Sequence, residues 1–227
     1  MRGLGAAFPI ALGYFPVAIS FGIGAAQVGW SPLEAAFVSA VMYSGAAQFV
    51  ALTLIASSTA PLVTIVTLVL MGVRHLFYGP TLIRTQQDPS VKRSAIWSYW
   101  LSDEVFAVAL GSFARGRVAW NESWLAGLGM GAFLSWVSGT IVGAWLATHE
   151  AAFPPFVSDA LAFMLPALFF SLLLSLLTRE NILLIIGALI ATAVAALFIT
   201  GAGPIFFGMG AAALLAYARE IRTGGVA

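Results

Sequence analysis

The chain has 227 residues, of which 61% are apolar and 8% are charged, and its formal net charge is +1. A soluble globular protein carries about 25% charged residues, so a soluble enzyme, a disordered chain and a coiled coil are excluded. The balanced charge offers no basic face to a nucleic acid. With no cysteine and only two histidines, we expect no disulfide, metal site or cofactor. The composition predicts a polytopic membrane protein that lies in a lipid bilayer.

Apolar segments follow one another along the chain at lengths that suit membrane spans, for which a helix needs about 20 apolar residues. Strand-like alternation is missing, so we expect an all-α protein and not a barrel. No long linker is present, so 1–227 is predicted to be a single transmembrane domain. The last segment is short, which leaves seven or eight spans. The segments are about 9–28, 32–56, 61–83, 94–113, 124–147, 156–177, 181–200 and 204–219.

Local signals orient these segments. Ser31-Pro32-Leu33-Glu34 has Ser at the N-cap position, Pro at the first helical position and Glu at N3, which predicts a capping box. The Lys and Arg residues favour an N-terminus on the cytoplasmic side, with the loop at 84–93 as an exception. Either this loop violates the rule or the third segment does not cross simply.

A weak internal similarity relates residues 14–24 to residues 132–143. Two weakly similar halves are typical of transporters, whose repeats create a site near the membrane midplane and often contain discontinuous helices. The alternative is that Gly, Ala and Phe recur through composition alone.

Polar residues are concentrated in the second segment. Ser39, Tyr43, Ser44, Gly45 and Gln48 lie there, and Ser44 and Gln48 are four residues apart on one helical face. Gln48 offers two donors and an acceptor where water is scarce, which favours substrate binding. Hydrogen bonding between packed helices is the alternative.

The third segment contains Arg74 and His75 near its middle, followed by Tyr78. A cation inside a span is costly and indicates function, and Arg binds carboxylates through two hydrogen bonds. Arg74 could instead extend its head group toward water or pair with a structural acid. The residues expected to break this helix and expose backbone dipoles are Gly72, Gly79 and Pro80.

Two adjacent acids, Asp103 and Glu104, lie within the fourth segment. Neighbouring carboxyl groups at low dielectric favour protonation of one of them, which suits proton coupling. The alternative is a fixed ion pair with Arg74. Two acids beside one cation leave a spare carboxyl, which favours proton coupling.

The sixth segment holds a third candidate for proton coupling, Asp159, and a fourth candidate helix break, Pro166. An acid near a helix N-terminus is more often a cap than a site. The Gly127–Gly131 and Gly139–Gly143 spacings in the fifth segment favour close helix packing.

No catalytic motif and no phosphate-binding loop is found, so we expect neither an enzyme nor direct use of ATP. Uphill transport would then draw on an ion gradient.

Residues 39–49, residues 74–78 and Ser102-Asp103-Glu104, together with Trp136…Gly139-Thr140…Gly143, resemble the AzlC-type branched-chain amino-acid permease family. Asp159 and Pro166 follow in the same order. The resemblance covers nearly the whole chain. Gly72 stands where a small polar residue is expected, and Ser44 stands where Ala is expected, which bears on the substrate.

The resemblance implies a multi-pass subunit of the inner (cytoplasmic) membrane that exports Leu, Ile, Val and sometimes Met. It also implies a small AzlD-type membrane partner. The alternatives are a channel or facilitator for another small solute, which would need no protonatable acid, and a structural subunit of a membrane complex.

Overall fold

The computed structural model describes residues 2–83, 91–148, 181–200 and 203–222, together with 156, 163, 170, 174 and 177. Every regular element in these ranges is an α-helix, which confirms the all-helical fold class. Three helical stretches are long and apolar enough to span a membrane: Gly3–Gln27, Pro61–Ile83 and Glu122–Thr148. The total of seven or eight spans stays a prediction.

In chain order the helices are α1 Arg2–Gln27, α2 Pro32–Val41, α3 Gly45–Ala56, α4 Pro61–Gly72, α5 His75–Ile83, α6 Val91–Ser98, α7 Asp103–Ala114, α8 Glu122–Thr148, α9 Ile182–Ala196 and α10 Gly203–Arg222. The first and fifth apolar segments form the long helices α1 and α8. The seventh and eighth segments form α9 and α10. The sixth segment falls largely outside the described residues, and Asp159 and Pro166 fall there with it.

The second, third and fourth apolar segments are each interrupted. The helix expected over 32–56 stops at Val41 and restarts at Gly45, and the one expected over 94–113 stops at Ser98 and restarts at Asp103. The third segment is interrupted at Val73 and Arg74. Discontinuous helices were therefore correctly expected, although two of the three breaks lie where no break was predicted.

The chain divides into two compact units, Met1–Leu165 and Pro166–Ala227. In the second unit α9 packs against α10 through small residues. A Cβ on Gly208 would lie 2.0 Å from the Thr192 hydroxyl oxygen. The expectation of a single domain stays a prediction.

The first unit is built on the α1–α8 pair, whose helices touch backbone to backbone. A Cβ on Gly143 would lie 2.1 Å from the carbonyl oxygen of Ile19, and one on Gly22 would lie 2.2 Å from that of Thr140. Close approach of this kind is how membrane helices gain van der Waals contact where lipid removes the hydrophobic driving force. The packing interpretation of the α8 glycines is confirmed by the small residues that face α1, which are Gly127, Gly131, Ser135, Gly139 and Gly143.

The shorter helices of the first unit add to this pair. The Ser31 hydroxyl accepts a hydrogen bond from the Glu34 backbone N–H, and the Glu34 carboxylate accepts one from the Ser31 backbone, which confirms the capping box at the start of α2. Helix α2 is joined to α8 by the buried Ser39 and Thr140 hydroxyls, 2.8 Å apart. The packing of α2 against α8 places the first helix break beside the α1–α8 pair.

Candidate functional site

The three helix breaks are linked to one another by polar side chains. The Tyr99 hydroxyl, from the α6–α7 break, donates to the carbonyl oxygen of Ala40 at the end of α2. Arg74, at the α4–α5 break, forms an ion pair with Asp103 at the start of α7. From α1, Tyr14 reaches the same start of α7. The breaks and these side chains form one polar cluster inside the first unit.

Gln48 holds the α2–α3 break together. Where a helix is interrupted inside a membrane, its last carbonyl groups lose their partners and need others. The Gln48 amide nitrogen donates to the Met42 carbonyl oxygen at 2.7 Å, and its amide oxygen accepts from Trp136 Nε1 at 3.0 Å. The side chain is fully buried. Its polar groups therefore bond to the α2–α3 break and to α8. This is the hydrogen bonding between packed helices that the sequence offered as the alternative for Gln48.

The first turn of α3 begins against an aromatic ring. A Cβ on Gly45 would lie 2.7 Å from the Trp136 indole, so a glycine is needed for this approach. Ser44, at the N-cap position, makes no side-chain hydrogen bond to the helix. The preceding side chain, Tyr43, is 9% exposed, and its hydroxyl has no hydrogen-bond partner among the described residues. An uncapped helix start and a buried free hydroxyl thus lie next to each other in the sequence.

The α4–α5 break is a tightened turn and not a full separation. Val73, Leu76 and Phe77 donate backbone hydrogen bonds to residues three positions earlier, at 3.1 to 3.3 Å. The break follows Gly72, as expected, although a Cβ on Gly72 would meet nothing within 4 Å.

The expected break at Gly79 and Pro80 is wrong, because α5 runs through both residues to Ile83. A proline inside a membrane helix removes one backbone hydrogen bond without ending the helix. Gly79 instead provides room, since a Cβ there would lie 2.8 Å from the Ser98 hydroxyl oxygen on α6.

Asp103 is held by the α4–α5 break and by α5. Arg74 Nη2 lies 2.8 Å from Asp103 Oδ2, and the Tyr78 hydroxyl donates to Asp103 Oδ1. The side chains of Arg74 and Asp103 are 38% and 25% exposed. His75 packs beside Tyr78, with ring centroids 5.1 Å apart, and its Nδ1 lies 3.2 Å from the Gly72 carbonyl oxygen. The fixed ion pair between Arg74 and Asp103 is therefore present.

Glu104 points away from this ion pair and toward α1. Successive side chains on a helix diverge by about 100°, which separates the two acids. The Tyr14 hydroxyl interacts with both Glu104 Oε2 and the Ser102 hydroxyl, the latter at 2.7 Å. Ser102 caps α7, because its oxygen also accepts from the Val105 backbone N–H. Glu104 has no ion-pair partner among the described side chains.

The structure thus brings together most of the residues singled out in the sequence. Ser39 lies on the α8 side of α2, bonded to Thr140, and Asp159 and Pro166 lie outside the described residues. No group of three His, Cys, Asp or Glu side chains suited to a metal ion occurs in the described part of the chain.

Sequence reasoning gave no role to Tyr99 or Tyr14, which both belong to the cluster. Tyr14 is the more deeply buried of the two. It is 3% exposed, and its ring packs edge-on against Trp136 at 5.2 Å. The available signal was a phenol hydroxyl in the middle of an otherwise apolar span, where a buried hydroxyl needs a partner.

Residues 9–149 match the AzlC protein family. The inner membrane protein YgaZ of Escherichia coli is 39% identical over 191 residues, which cover 84% of this chain and 78% of the relative. An uncharacterized membrane protein of Archaeoglobus fulgidus is 34% identical over 205 residues, 90% of this chain and 88% of the relative.

A more distant relative is the branched-chain amino acid transport protein AzlC of Bacillus subtilis, 22% identical over 175 residues, which are 76% of this chain and 66% of the relative. No solved structure matches the chain. The matched range contains α1 from residue 9 onward, α2 to α8 and the whole polar cluster. The family is associated with transport and not with catalysis. The chain is a membrane protein of the AzlC family.

Proposed function

We propose that this chain is the large subunit of an exporter for branched-chain amino acids, driven by the proton gradient across the inner (cytoplasmic) membrane. The substrates are Leu, Ile and Val, with Met as a further candidate. The observation that carries the proposal is the meeting of three interrupted helices at a cluster that holds two carboxyl groups. Broken helices near the midplane supply backbone dipoles to substrates and ions in secondary transporters.

Two observations support proton coupling. Asp103 and Glu104 lie at a helix start between apolar segments, where a lone charge is costly and protonation relieves the cost. Among the described side chains of the polar cluster, Arg74 is the one permanently charged cation, and its Nη2 is bonded to Asp103. One carboxyl group is thus left to take up and release a proton.

Recognition of a zwitterion needs donors for its carboxylate and acceptors for its ammonium group. We place the carboxylate at the first turn of α3, where Ser44 leaves the helix without a side-chain cap. The free hydroxyl of Tyr43, nine-tenths buried, supplies a further donor there. Arg74 is engaged with Asp103 and is the weaker candidate. Apolar walls would discriminate poorly between side chains, by about 1–3 kcal/mol per methylene, which suits a broad aliphatic preference.

A small AzlD-type membrane subunit belongs to the proposal. In the most apolar stretch of the Pro61–Ile83 span, 11% of the residues are buried by the rest of the protein. The corresponding shares for the other two long spans are 33% and 39%. Near the middle of the Pro61–Ile83 span the Arg74 side chain is 38% exposed, and a guanidinium left exposed to lipid would be costly. A second membrane protein laid along this span would shield the ion pair.

The contact with a companion subunit can be mapped directly, because the chain contains no cysteine. Val69→Cys and Leu76→Cys place single thiols on exposed positions of α4 and α5, and Leu134→Cys places a matched thiol on an exposed position of α8. We expect cross-links to the small subunit from the first two positions and not from the third. Equal cross-linking to the small subunit from all three positions would contradict this arrangement. Cross-links that never join this chain to the small subunit would also contradict it.

Efflux of labelled Leu, Val and Met tests the proposed function. Cells that express both subunits, either one alone, or neither are loaded with label and followed by filtration. We expect efflux above background only with both subunits, and its loss when an uncoupler abolishes the proton gradient. Flux that persists down the solute gradient after uncoupling would indicate a facilitator. Equal efflux in all four strains for all three amino acids would remove the proposal.

A further inference from the structure

The two acids of the cluster differ in how much of their hydrogen-bonding capacity is already fixed. Asp103 accepts from a guanidinium that carries a permanent charge and from the Tyr78 hydroxyl. Protonating Asp103 would leave that guanidinium without its counter-ion inside the membrane. Glu104 is bonded to the neutral hydroxyl of Tyr14 and not to a cation, so a proton can bind it without breaking an ion pair.

Tyr14 has one hydroxyl hydrogen and two acceptors within reach. Its oxygen lies 2.7 Å from the Ser102 hydroxyl oxygen and also contacts Glu104 Oε2. A single O–H can donate to only one of them at a time. The other contact must therefore be one in which Tyr14 is the acceptor.

The direction of these bonds depends on whether Glu104 carries a proton. When Glu104 is ionised it can only accept, so Tyr14 donates to it and Ser102 donates to Tyr14. When Glu104 is protonated it can donate to Tyr14, which then donates to Ser102. Each hydroxyl keeps its own hydrogen and rotates; the one O–H bond formed is on Glu104, from a proton delivered by water.

In the second arrangement the Ser102 hydrogen is displaced from Tyr14 and needs another acceptor. Both acceptor positions of its oxygen are then used, one by the Val105 backbone N–H and one by Tyr14. The hydroxyl of Tyr43 lies near Ser102 without forming a hydrogen bond of normal geometry among the described residues. It is thus a buried acceptor that the first arrangement leaves unused.

We propose that Glu104, and not Asp103, is the proton-binding carboxyl, and that Tyr14 and Ser102 transmit its protonation state to Tyr43 at the α2–α3 break. Tyr14, Ser102 and Tyr43 are positioning residues in this scheme. The consequence is that proton binding on α7 changes the donors available at the first turn of α3. The inference rests on the proposed proton-coupled transport and assigns its proton site.

The titratable and polar groups around Glu104 come from several neighbouring elements. They are Tyr14 from α1, Tyr78 from α5, Tyr43 from the α2–α3 break, and Asp103 with Ser102 from its own helix start. Helix α8 contributes Trp136, which packs on Tyr14. None of the described cations forms an ion pair with Glu104.

Infrared difference spectroscopy of the full chain in lipid nanodiscs, titrated with acid in the absence of substrate, tests the assignment. We expect one buried carboxyl band that titrates, that shifts when glutamate and not aspartate carries carbon-13, and that disappears in Glu104→Gln. Asp103→Asn should keep the band. The isotope experiment uses the unaltered chain, so the assignment stays testable even if a variant fails to fold.

Tyr14→Phe and Tyr78→Phe form a matched pair. Each keeps the ring and removes the tyrosine hydroxyl that bonds to one of the two acids, Glu104 for Tyr14 and Asp103 for Tyr78. Loss of a hydrogen bond to the ionised carboxyl should move the titration midpoint of the band to higher pH by roughly one to two units in Tyr14→Phe. Tyr78→Phe should leave the midpoint in place.

A band that shifts with labelled aspartate, or that survives Glu104→Gln and is lost in Asp103→Asn, would overturn the assignment, as would the absence of any titrating buried carboxyl. An unmoved midpoint in Tyr14→Phe would remove the role of Tyr14. These readouts need no transported solute, so the proposed amino-acid export can fail in the efflux experiment while the proton site stands, and the reverse.

Discussion

The α1–α8 pair and the three interrupted segments are held by opposite kinds of contact. Along α1 and α8, glycines bring the backbones together, as where Gly143 meets Ile19 and Gly22 meets Thr140. In the interrupted segments, side chains such as Gln48, Arg74 and Tyr14 bridge the helices. Backbone packing has one fit, whereas hydroxyl and carboxyl groups can exchange donors and acceptors. The comparison indicates a fixed frame beside a region that can change state.

The largest destabilisation of the α1–α8 pair is expected from Gly143→Leu. Its Cβ would lie 2.1 Å from the Ile19 carbonyl oxygen, which belongs to backbone and cannot rotate away. Overpacking of this kind costs about 3 kcal/mol or more. We expect loss of folded protein by size-exclusion chromatography, or a large fall in the thermal unfolding midpoint. Gly13→Leu, at a position in α1 where a Cβ meets nothing within 4 Å, is the matched control. Equal behaviour of the two variants would contradict the close packing.

On the other side of the comparison, Gln48→Leu removes the bonds across the α2–α3 break with little change of volume. The Met42 carbonyl oxygen and Trp136 Nε1 would each lose a partner in a buried place. We expect destabilisation of about 1–3 kcal/mol, measured by thermal unfolding, because unsatisfied buried groups carry that cost. Thr53→Val, an exposed position on the same helix, should be near neutral. A neutral Gln48→Leu would show that the break does not depend on this side chain.

The smallest expected effect is at the start of α2. Ser31→Ala removes the hydroxyl that accepts from the Glu34 backbone N–H, and loss of such a cap costs about 1 kcal/mol. Unfolding should occur at a slightly lower temperature, while Ser138→Ala, an exposed hydroxyl within α8, serves as the comparison. If the unfolding temperature fell as much as in Gln48→Leu, the start of α2, and not the bonds at its end, would determine whether the break forms.

The positions of the helices were predictable from the sequence, and the breaks were predictable only in part. Runs of apolar residues mark segments well, because the bilayer fixes their length. The breaks at 42–44 and 99–102 have no proline, and Gly45 is the sole glycine at either edge. They depend on partners distant in sequence, such as Trp136 for Gln48 and Tyr14 for Ser102.

The candidate site shows the same division. Arg74, Asp103 and Glu104 could be identified because ionisable groups are rare in membrane spans. The sequence left open whether Arg74 pairs with an acid, and the structure shows that it pairs with Asp103. The sequence could not show that Tyr14 faces Glu104, because no local pattern relates residues ninety positions apart.

Proton-driven transport of labelled valine into proteoliposomes, with an imposed pH gradient, tests the central claim most directly. Wild-type protein with the proposed small subunit should accumulate valine when the gradient is present and only equilibrate when it is absent. We predict that Glu104→Gln loses accumulation but retains valine exchange at equal pH, and that Asp103→Asn still responds to the gradient. An unchanged response to the pH gradient in both variants would contradict proton coupling through this cluster.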